Sequence, residues 1–486
     1  MRLTNIEIKN FRAFPKSYQI DLYNAGKNLL VYGENGSGKS SLYLALKYFF
    51  ESGVDADKEE NKNTEFENHQ NIFTEDPGYV KLCFRSESRL EKDTYEWSRD
   101  TKETTDELII EVSKAKGFLD YKSLLETHYI HRESETVNLF NLLVKTLLAD
   151  TANPLTNRTL ADDWSEIQPP YPRRRDAKNK IADLERRIVN FNRELANRLT
   201  ELTPKVSEIL EKFGYNIEPN FDFQGVTYNQ NKKELENQEI LLEVDFFNEN
   251  IRSHHLFLNE AKLSAIAISV YLSSILLLPD PKSGLRILAL DDVLIGLDMS
   301  NRFPVLDILE EYFKDYQIFL TTYDKAWYEI AKQRTDQKDW KYTEFYFKAT
   351  TEYEIPVCKE DIPYLGKARE YLDANDYKAC AIYVRTAFEE IIKRFCDKRN
   401  LKVRYCENPK ELTTKDFWEV ITTQEKRSPI YPEQNILLLD QKLVDEIESA
   451  QKFILNELSH ATFVNIYRKE LEDAIDAVEQ LEAALA

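Results

Sequence analysis

Cysteine is scarce in these 486 residues, and what there is does not pair. Cys83, Cys358, Cys380, Cys396 and Cys406 are scattered, odd in number and never spaced C-x-x-C, which excludes a cysteine zinc hook or finger and points to a reducing compartment, the cytoplasm. Positive charge is also short: 65 lysines and arginines stand against 85 acidic residues, a net charge of −20. The chain therefore lacks the global basic field of a non-specific nucleic-acid binder, and any DNA or RNA contact has to come from local patches. Long apolar runs are missing too. The run from Ile266 to Leu278 is broken by Ser269, Ser273 and Ser274, and the opening MRLTNIEIKNFRAF alternates like a strand, so neither a signal peptide nor a membrane span is expected. No internal repeat is visible. The length exceeds one ordinary domain and predicts two or three folding units.

One stretch is dense with chemistry. VYGENGSGKSS, beginning at Val31, sets Gly33, Gly38, Lys39 and Ser40 in the spacing G-x-x-x-x-G-K-[ST], with Gly36 as a third glycine. Glycines allow the positive φ angles that turn successive N–H groups inward, and a helix N-terminus adds partial positive charge. Lys39 can then reach the β- and γ-phosphates while Ser40 ligates Mg²⁺. The context fits: NLLVY (28–32) reads as a strand, and SLYLALKYFF (41–50) carries Leu42, Leu44, Ala45 and Phe49 on helical spacing. Asn35, Gly36, Ser37, Gly38, Lys39, Ser40 and Ser41 are thus the expected ATP-binding segment. Downstream, LRILALDDV ends an apolar strand in two carboxylates, the arrangement that sets a metal-binding and a water-polarising acid beside a phosphate loop. Asp291, with Ser40, is assigned to the metal, and Asp292, Asp291 and Lys39 to catalysis. Asp292 is one methylene shorter than glutamate, which predicts slow hydrolysis.

The rest of the chain organises around these motifs. LTNIEIKNFRAF and YQIDLY read as strands ahead of the loop, and GYVKLCFRS and DELIIEVS as strands of an antiparallel sheet flanking the nucleotide site. AKNKIADLERRIVNFNRELANRLTEL places Ile181, Leu184, Ile188, Phe191 and Leu195 at alternating three and four spacing, a coiled-coil-type helix of about two heptads that Pro204 should stop or kink. It reads as a helical hairpin or spur, or equally as an amphipathic helix lying on the domain. EILLEVDFF is a strand, LNEAKLSAIAISVYLSSILLL a buried helix, and YQIFLTTYDKAWYEIA a buried strand running into a helix. From Gln333 the composition turns polar, with Pro356 and Pro363, and reads as a linker. The expected units are an N-terminal lobe (1–150), a helical insertion (151–238), a C-terminal lobe (239–335), a linker (336–363) and a helical domain (364–486).

Taken in order, IEIKNFRAF, VYGENGSGKSSL, LALDDVLIGLD and IFLTTYD resemble the SMC/RecF-type branch of the ABC ATPases over roughly residues 1–335. The resemblance implies an α/β P-loop ATPase fold that uses ATP and Mg²⁺. It also implies a homodimer, or higher homo-oligomer, closed head to tail through the ATPase heads on nucleotide. FLNEAKLSA then stands where an LSGGQ-like signature would, with Asn259 for serine and Glu260-Ala261 for two glycines. Asn259 can cap a helix and donate to phosphate, whereas Glu260 brings negative charge toward an anion. Asp298 matches the D-loop. Tyr323 replaces the switch histidine and can donate a hydrogen bond without titrating near neutral pH. The segment around GFLDYKSLL sits at the Q-loop position without a glutamine, leaving Asp120 or Tyr121. His254-His255 precede the signature segment and are expected to shape it rather than bind metal.

A short insertion, a degenerate signature and an appended helical domain together resemble ATPase subunits of bacterial antiphage systems, such as Septu, retron-associated and PARIS ATPases, and the ATPase modules of RloC/PrrC anticodon nucleases. In the helical domain, Arg385 and Glu389 lie four apart, as do Asn456 and His460. This resembles HEPN-type RNases, which would make Arg385, Glu389 and His460 a cleavage site; the other reading is an ordinary ion pair and a structural histidine in a silent module. Three functions stay open: a switch subunit controlling a nuclease effector, a self-contained RNase restrained by its ATPase, or an SMC/RecF-like DNA repair ATPase.

Overall fold

Strand β1 (Arg2–Phe11) buries Leu3, Ile6 and Ile8 on one face and turns through Asn10 and Arg12, both at positive φ, into β2 (Phe14–Asp21). The computed structural model describes residues 1–54, 65–86, 93–128, 135–169, 171, 177–247, 249–349, 354–360, 364–403, 412–424, 439–451 and 467–485. They fall into two units, 1–360 and 361–486.

In the first unit β3 (Asn28–Gly33) runs into the loop that opens α1 (Lys39–Val54). Strands β4 (Tyr79–Arg85) and β5 (Thr94–Ser98) join the first two in an antiparallel sheet ordered β2-β1-β4-β5. DELIIEVS, expected as a strand, is helix α2 (Glu107–Lys114): Asp106 accepts from the Leu108 N–H, and Ile109 and Val112, three apart, are its buried face. A short apolar run does not distinguish strand from helix, and here the cap decides it. Strand β6 (Gly117–Asp120) leads to the short α3 (Tyr121–Leu125), capped by Asp120.

The middle of the chain carries α4 (Phe140–Leu142), the two-residue strands β7 (Ala152–Asn153) and β8 (Arg158–Thr159), and α5 (Leu160–Glu166) with a Thr159/Asp162 capping box. Helix α6 (Ala177–Lys212) is 36 residues long and continues through Pro204, so of the two expected outcomes a stop is excluded. A mid-helix proline costs about 3 kcal/mol. On its two sides Leu195, Leu199, Leu202, Val206, Ile209 and Leu210 are all buried in one core, and each such side chain contributes about 1.5–3 kcal/mol, so packing wins. α6 packs on a helix of the same unit, and β9 (Ile217–Asp222) follows it. Its apolar face lies on the domain, as the amphipathic-helix reading expects, and a strand rather than a second helix follows it in the chain. Short strands β10 (Thr227–Asn229) and β11 (Glu234–Glu236) pair, and β12 (Leu241–Phe246) lies between β9 and β13 (Glu249–Ile251).

After α7 (His254–Phe257) and the almost wholly buried α8 (Glu260–Ile275), the chain alternates β14 (Ile287–Asp291), α9 (Met299–Tyr312), β15 (Gln317–Thr322) and α10 (Lys325–Arg334). Residues 336–363, expected as a linker, instead supply β16 (Trp340–Ala349) and β17 (Glu354–Glu360). The central sheet runs β17-β16-β3-β15-β14-β6, parallel except for β17 at its edge. Composition misleads in β16 because polar side chains are buried there: Lys341 is 5% exposed and its Nζ donates to the Asp21 carbonyl at 2.7 Å.

The second unit is helical: α11 (Tyr364–Asp373), α12 (Tyr377–Lys398), α13 (Thr414–Gln424), α14 (Gln441–Ala450) and α15 (Arg468–Leu485) share one apolar core. Arg369 and Arg394 tie α11 and α12 to Glu479 and Glu482 of α15. No helix among the described residues is long and apolar enough to cross a membrane.

Candidate functional site

The loop after β3 is held open by glycine geometry. Gly36 and Gly38 sit at φ +86° and +100°, and a Cβ on Gly38 would come within 3.3 Å of Pro356. Lys39 is 4% exposed, and its Nζ donates to the Gly33 carbonyl at 2.8 Å and lies 3.4 Å from Asp292 Oδ2. Ser37 Oγ and Asp292 Oδ1 are buried without a hydrogen-bond partner among the described residues. These orphaned atoms beside a lysine and inward-turned N–H groups fit a triphosphate with its metal, which would complete their bonding.

Asp291 ends β14 where the register sets it beside Thr321 of β15, whose hydroxyl donates to Asp291 Oδ1 at 2.6 Å. Ser40 also bonds this carboxylate, so the two expected metal ligands meet. Burial pushes the Asp291 carboxyl above the ordinary aspartate range, against the pull of the Thr321 and Ser40 hydroxyls. Asp292 has φ +51°, a left-handed conformation that swings its side chain off the strand line toward Lys39. Burial raises this carboxyl as well, while Lys39 and the backbone of Tyr323 pull it down. Such a φ on a non-glycine residue persists where surroundings fix it, as the Thr321 hydroxyl does by accepting from the Asp292 N–H at 3.2 Å.

The profile of the RecF/RecN/SMC N-terminal domain family matches residues 2–339. The chain belongs to that family. Similar solved structures include a SmcHead bound to the C-winged helix domain of ScpA, 13% identical, covering 76% of this chain and all of that one at a TM-score of 0.41. A second is an Smc head domain with an extended coiled coil bound to the C-terminal domain of ScpA, derived from Pyrococcus furiosus, at 13%, 77%, 99% and 0.41. A third is the SMC head domain from Thermotoga maritima, at 12%, 74%, 100% and 0.35. At these scores the likeness to individual heads adds nothing to the family match. No curated protein matches significantly.

In this SMC-type head the signature-like segment is capped as expected: Asn259 accepts from the Lys262 N–H at 3.0 Å and opens α8. Glu260 is exposed, and Lys262 lies over the rings of Tyr215 and Phe246 at 5.4 and 5.6 Å. Asp298 caps α9, accepting from the Asn301 N–H at 3.1 Å. A Cβ on Gly296 would fall 2.0 Å from Ser264 Oγ, so the backbone before Asp298 lies directly against α8. Arg302 donates to the Leu297 carbonyl at 2.7 Å and pairs with Asp324, tying the turn before α9 to the strand end that carries the exposed Tyr323. His254 is wholly buried, its ring 5.7 Å from that of His255; burial first, then His255, holds both His254 and the nearby His128 down to about 4. No group of three metal-binding side chains converges among the described residues.

Sequence reasoning missed Thr321, which touches both aspartates, and Arg12. The Arg12 turn reaches the phosphate-loop helix through the Ala13 N–H, 3.4 Å from Ser41 Oγ, and Arg12 itself lies against His69 at 3.4 Å. The signal was present in NFRAF, a cation in the turn between the first two strands. In the second unit Arg385 donates to Glu389 at 2.9 Å, beside a cavity of about 700 Å³ that Lys393, Lys415 and Trp418 also line. Burial pushes the Glu389 carboxyl up, but Arg385 and Thr414 outweigh it and hold it below the ordinary glutamate range. Asn456 and His460 lie outside the described residues.

Proposed function

We propose that the chain is an ATP-binding and ATP-hydrolysing switch subunit whose two copies close on nucleotide and thereby control a nuclease effector in bacterial antiphage defence. The observation that carries the ATPase part is the convergence of Lys39, Ser40, Asp291 and Asp292 on one loop after β3. When bound, Mg²⁺ neutralises charge between the β- and γ-phosphates. Ser40 and Asp291 would hold it. Lys39 leaves Asp292 for the phosphates, and Asp292, freed of its ion pair and already raised by burial, takes up the proton-accepting role toward water. Asn259, Asp298 and Tyr323 are the groups each copy would present to the nucleotide held by the other.

Control of an effector rests on the combination of a complete cradle with a signature lacking its glycines, which suits slow closure better than rapid cycling. The test is the Asp292→Asn protein with ATP and Mg²⁺: a nucleotide-dependent dimer by light scattering is expected, with phage protection lost in Lys39→Ala cells; a nuclease gene beside this one would favour the switch, and a solitary gene the self-contained effector. Protection that survives Lys39→Ala would sink the switch. The family match equally accommodates a RecF-like DNA repair ATPase, which predicts damage sensitivity without any phage phenotype. The RNase reading has only the Arg385–Glu389 pair among the described residues.

A further inference from the structure

Two groups of large apolar side chains face solvent in the first unit. In the first group the Phe246 ring lies 4.6 Å from that of Phe247 and 6.3 Å from that of Phe257, and Phe247 and Phe257 are both 64% exposed. Leu256, next to Phe257 on α7, is exposed as well. Phe247 holds φ +53°, a conformation that costs a bulky residue energy and persists where its surroundings impose it. Ile251, Arg252, Leu256 and Phe257 line an open groove of about 570 Å³ here. Arg252 pairs with Glu243 at 3.0 Å yet keeps its side chain 74% exposed. Because α7 ends two residues before Asn259, this group flanks the cap of α8.

The second group flanks the phosphate loop. Asn71 donates to the Arg12 carbonyl at 2.6 Å, and the Ala13 N–H beside it approaches Ser41 in the first turn of α1. The Phe73 N–H closes the next turn onto Asn71 Oδ1 at 2.9 Å, leaving Ile72 at its tip, 87% exposed. Glu75 and Asp76 follow, both exposed. Scattered apolar side chains are ordinary on a protein surface, but a cluster rimmed by charge marks an interaction site.

The partner that fits both groups is a second copy of this chain. In a two-fold dimer a contact between two different regions is made twice, once in each direction. Closure that sets Asn259 of one copy over the phosphate loop of the other carries the aromatic group toward the Ile72 turn, because each group flanks one of those two segments. The charges agree, since Glu75 and Asp76 would meet Arg252. We propose that Ile72 of one copy seats in the groove beside Phe257 of the other, an apolar latch formed twice per dimer. It rests on the switch reading and deepens it: the latch supplies closing affinity where the signature-like segment lacks its glycines.

The experiment uses the full chain carrying Asp292→Asn, with ATP and Mg²⁺, and follows dimerisation by sedimentation. Ile72→Ser and Phe257→Ser should each weaken the dimer at least about tenfold, since each removes two buried apolar contacts. Both side chains are exposed in the single chain, so melting temperature and ATP binding should stay unchanged. Ile72→Cys protein mixed with Phe257→Cys protein should cross-link through a short bismaleimide when ATP is present, beyond the background of either variant alone. A dimer as tight as the parent's in either serine variant, or no cross-link in the mixture, overturns the latch and leaves the switch. A dimer that stays tight while Phe257→Ser cells lose phage protection assigns the groove to another protein and overturns the latch too. An Asp292→Asn protein that binds ATP and stays monomeric removes the switch reading together with the latch.

Discussion

The loop before α1 keeps Gly36 and Gly38 at positive φ with Lys39 buried behind them, whereas the start of α8, proposed above as the signature side, has Glu260 and Ala261 where that role would call for glycine's room. Both sides retain their helix start, α1 on one and the Asn259-capped α8 on the other. What differs is the ability to bring the backbone close to an anion. Capping chemistry tolerates many residues, since any short acceptor side chain serves. Close approach tolerates almost none. A chain under weak demand for fast closure can therefore lose the second feature while keeping the first.

Lys39→Ala attacks the cradle and should have the largest effect. Charge-assisted contacts worth about 3 kcal/mol correspond to about a hundredfold in affinity, so titration calorimetry should find ATP binding lost. Unchanged affinity would mean that the loop is not the cradle. Asp292→Asn comes next: single-turnover hydrolysis should slow by roughly 10²-fold, with ATP still bound, because metal ligation by Asp291 survives. Turnover at the wild-type rate would move the proton acceptor elsewhere.

On the signature side, Glu260→Gln in the Asp292→Asn background removes a like charge from the closing surface. It should tighten the ATP-dependent dimer by roughly three- to tenfold in sedimentation, at a few tenths of a kcal/mol of helix stability. A dimer indifferent to Glu260 would show that this side does not face nucleotide. The effect furthest from the nucleotide is on acid stability. His128 and His254 are held at about 4, below the 6.5 of an exposed histidine, so the unfolded chain binds more protons between those values. Stability from both is fully present above pH 6.5 and is lost as pH falls from there through 4, each histidine giving up about 1.4 kcal/mol for every pH unit crossed. His254→Leu, which leaves no ring nitrogen to protonate, should flatten that limb of a melting-temperature profile; an unchanged slope places the acid sensitivity in other groups.

How much of this was legible depends on how local each constraint is. Gly33 to Ser40 specify strand, loop and helix within a few residues, and the structure builds that arrangement. Asp291 was visible as the end of an apolar strand. Thr321 and Asp120 were not legible as its neighbours, because strand order and register are set by residues far apart in the chain. β16 was misread for an energetic reason: Lys341 and Thr343 are polar but buried, and a composition rule has no access to the partner that satisfies the lysine. Pro204 misled in the opposite way, its local cost being overridden by apolar side chains on either side that only the tertiary core rewards. Tyr323, proposed for the switch position, follows β15 beside Asp292, while the pairing proposed for Asn456 and His460 falls outside the described residues.

β3, the strand that delivers the phosphate loop, has both of its sheet neighbours far downstream: β15 begins at Gln317 and β16 at Trp340. Gln317 adds to the delay, since its side chain clasps the Leu3 N–H and carbonyl, both at 2.8 Å. On a ribosome adding about 5–20 residues per second, the loop waits roughly a quarter of a minute to a minute for the strands that complete its sheet. During that interval β3 is an apolar segment with two open edges, which gives newborn chains a reason to need a holding chaperone and makes a truncated message more hazardous than a missing one.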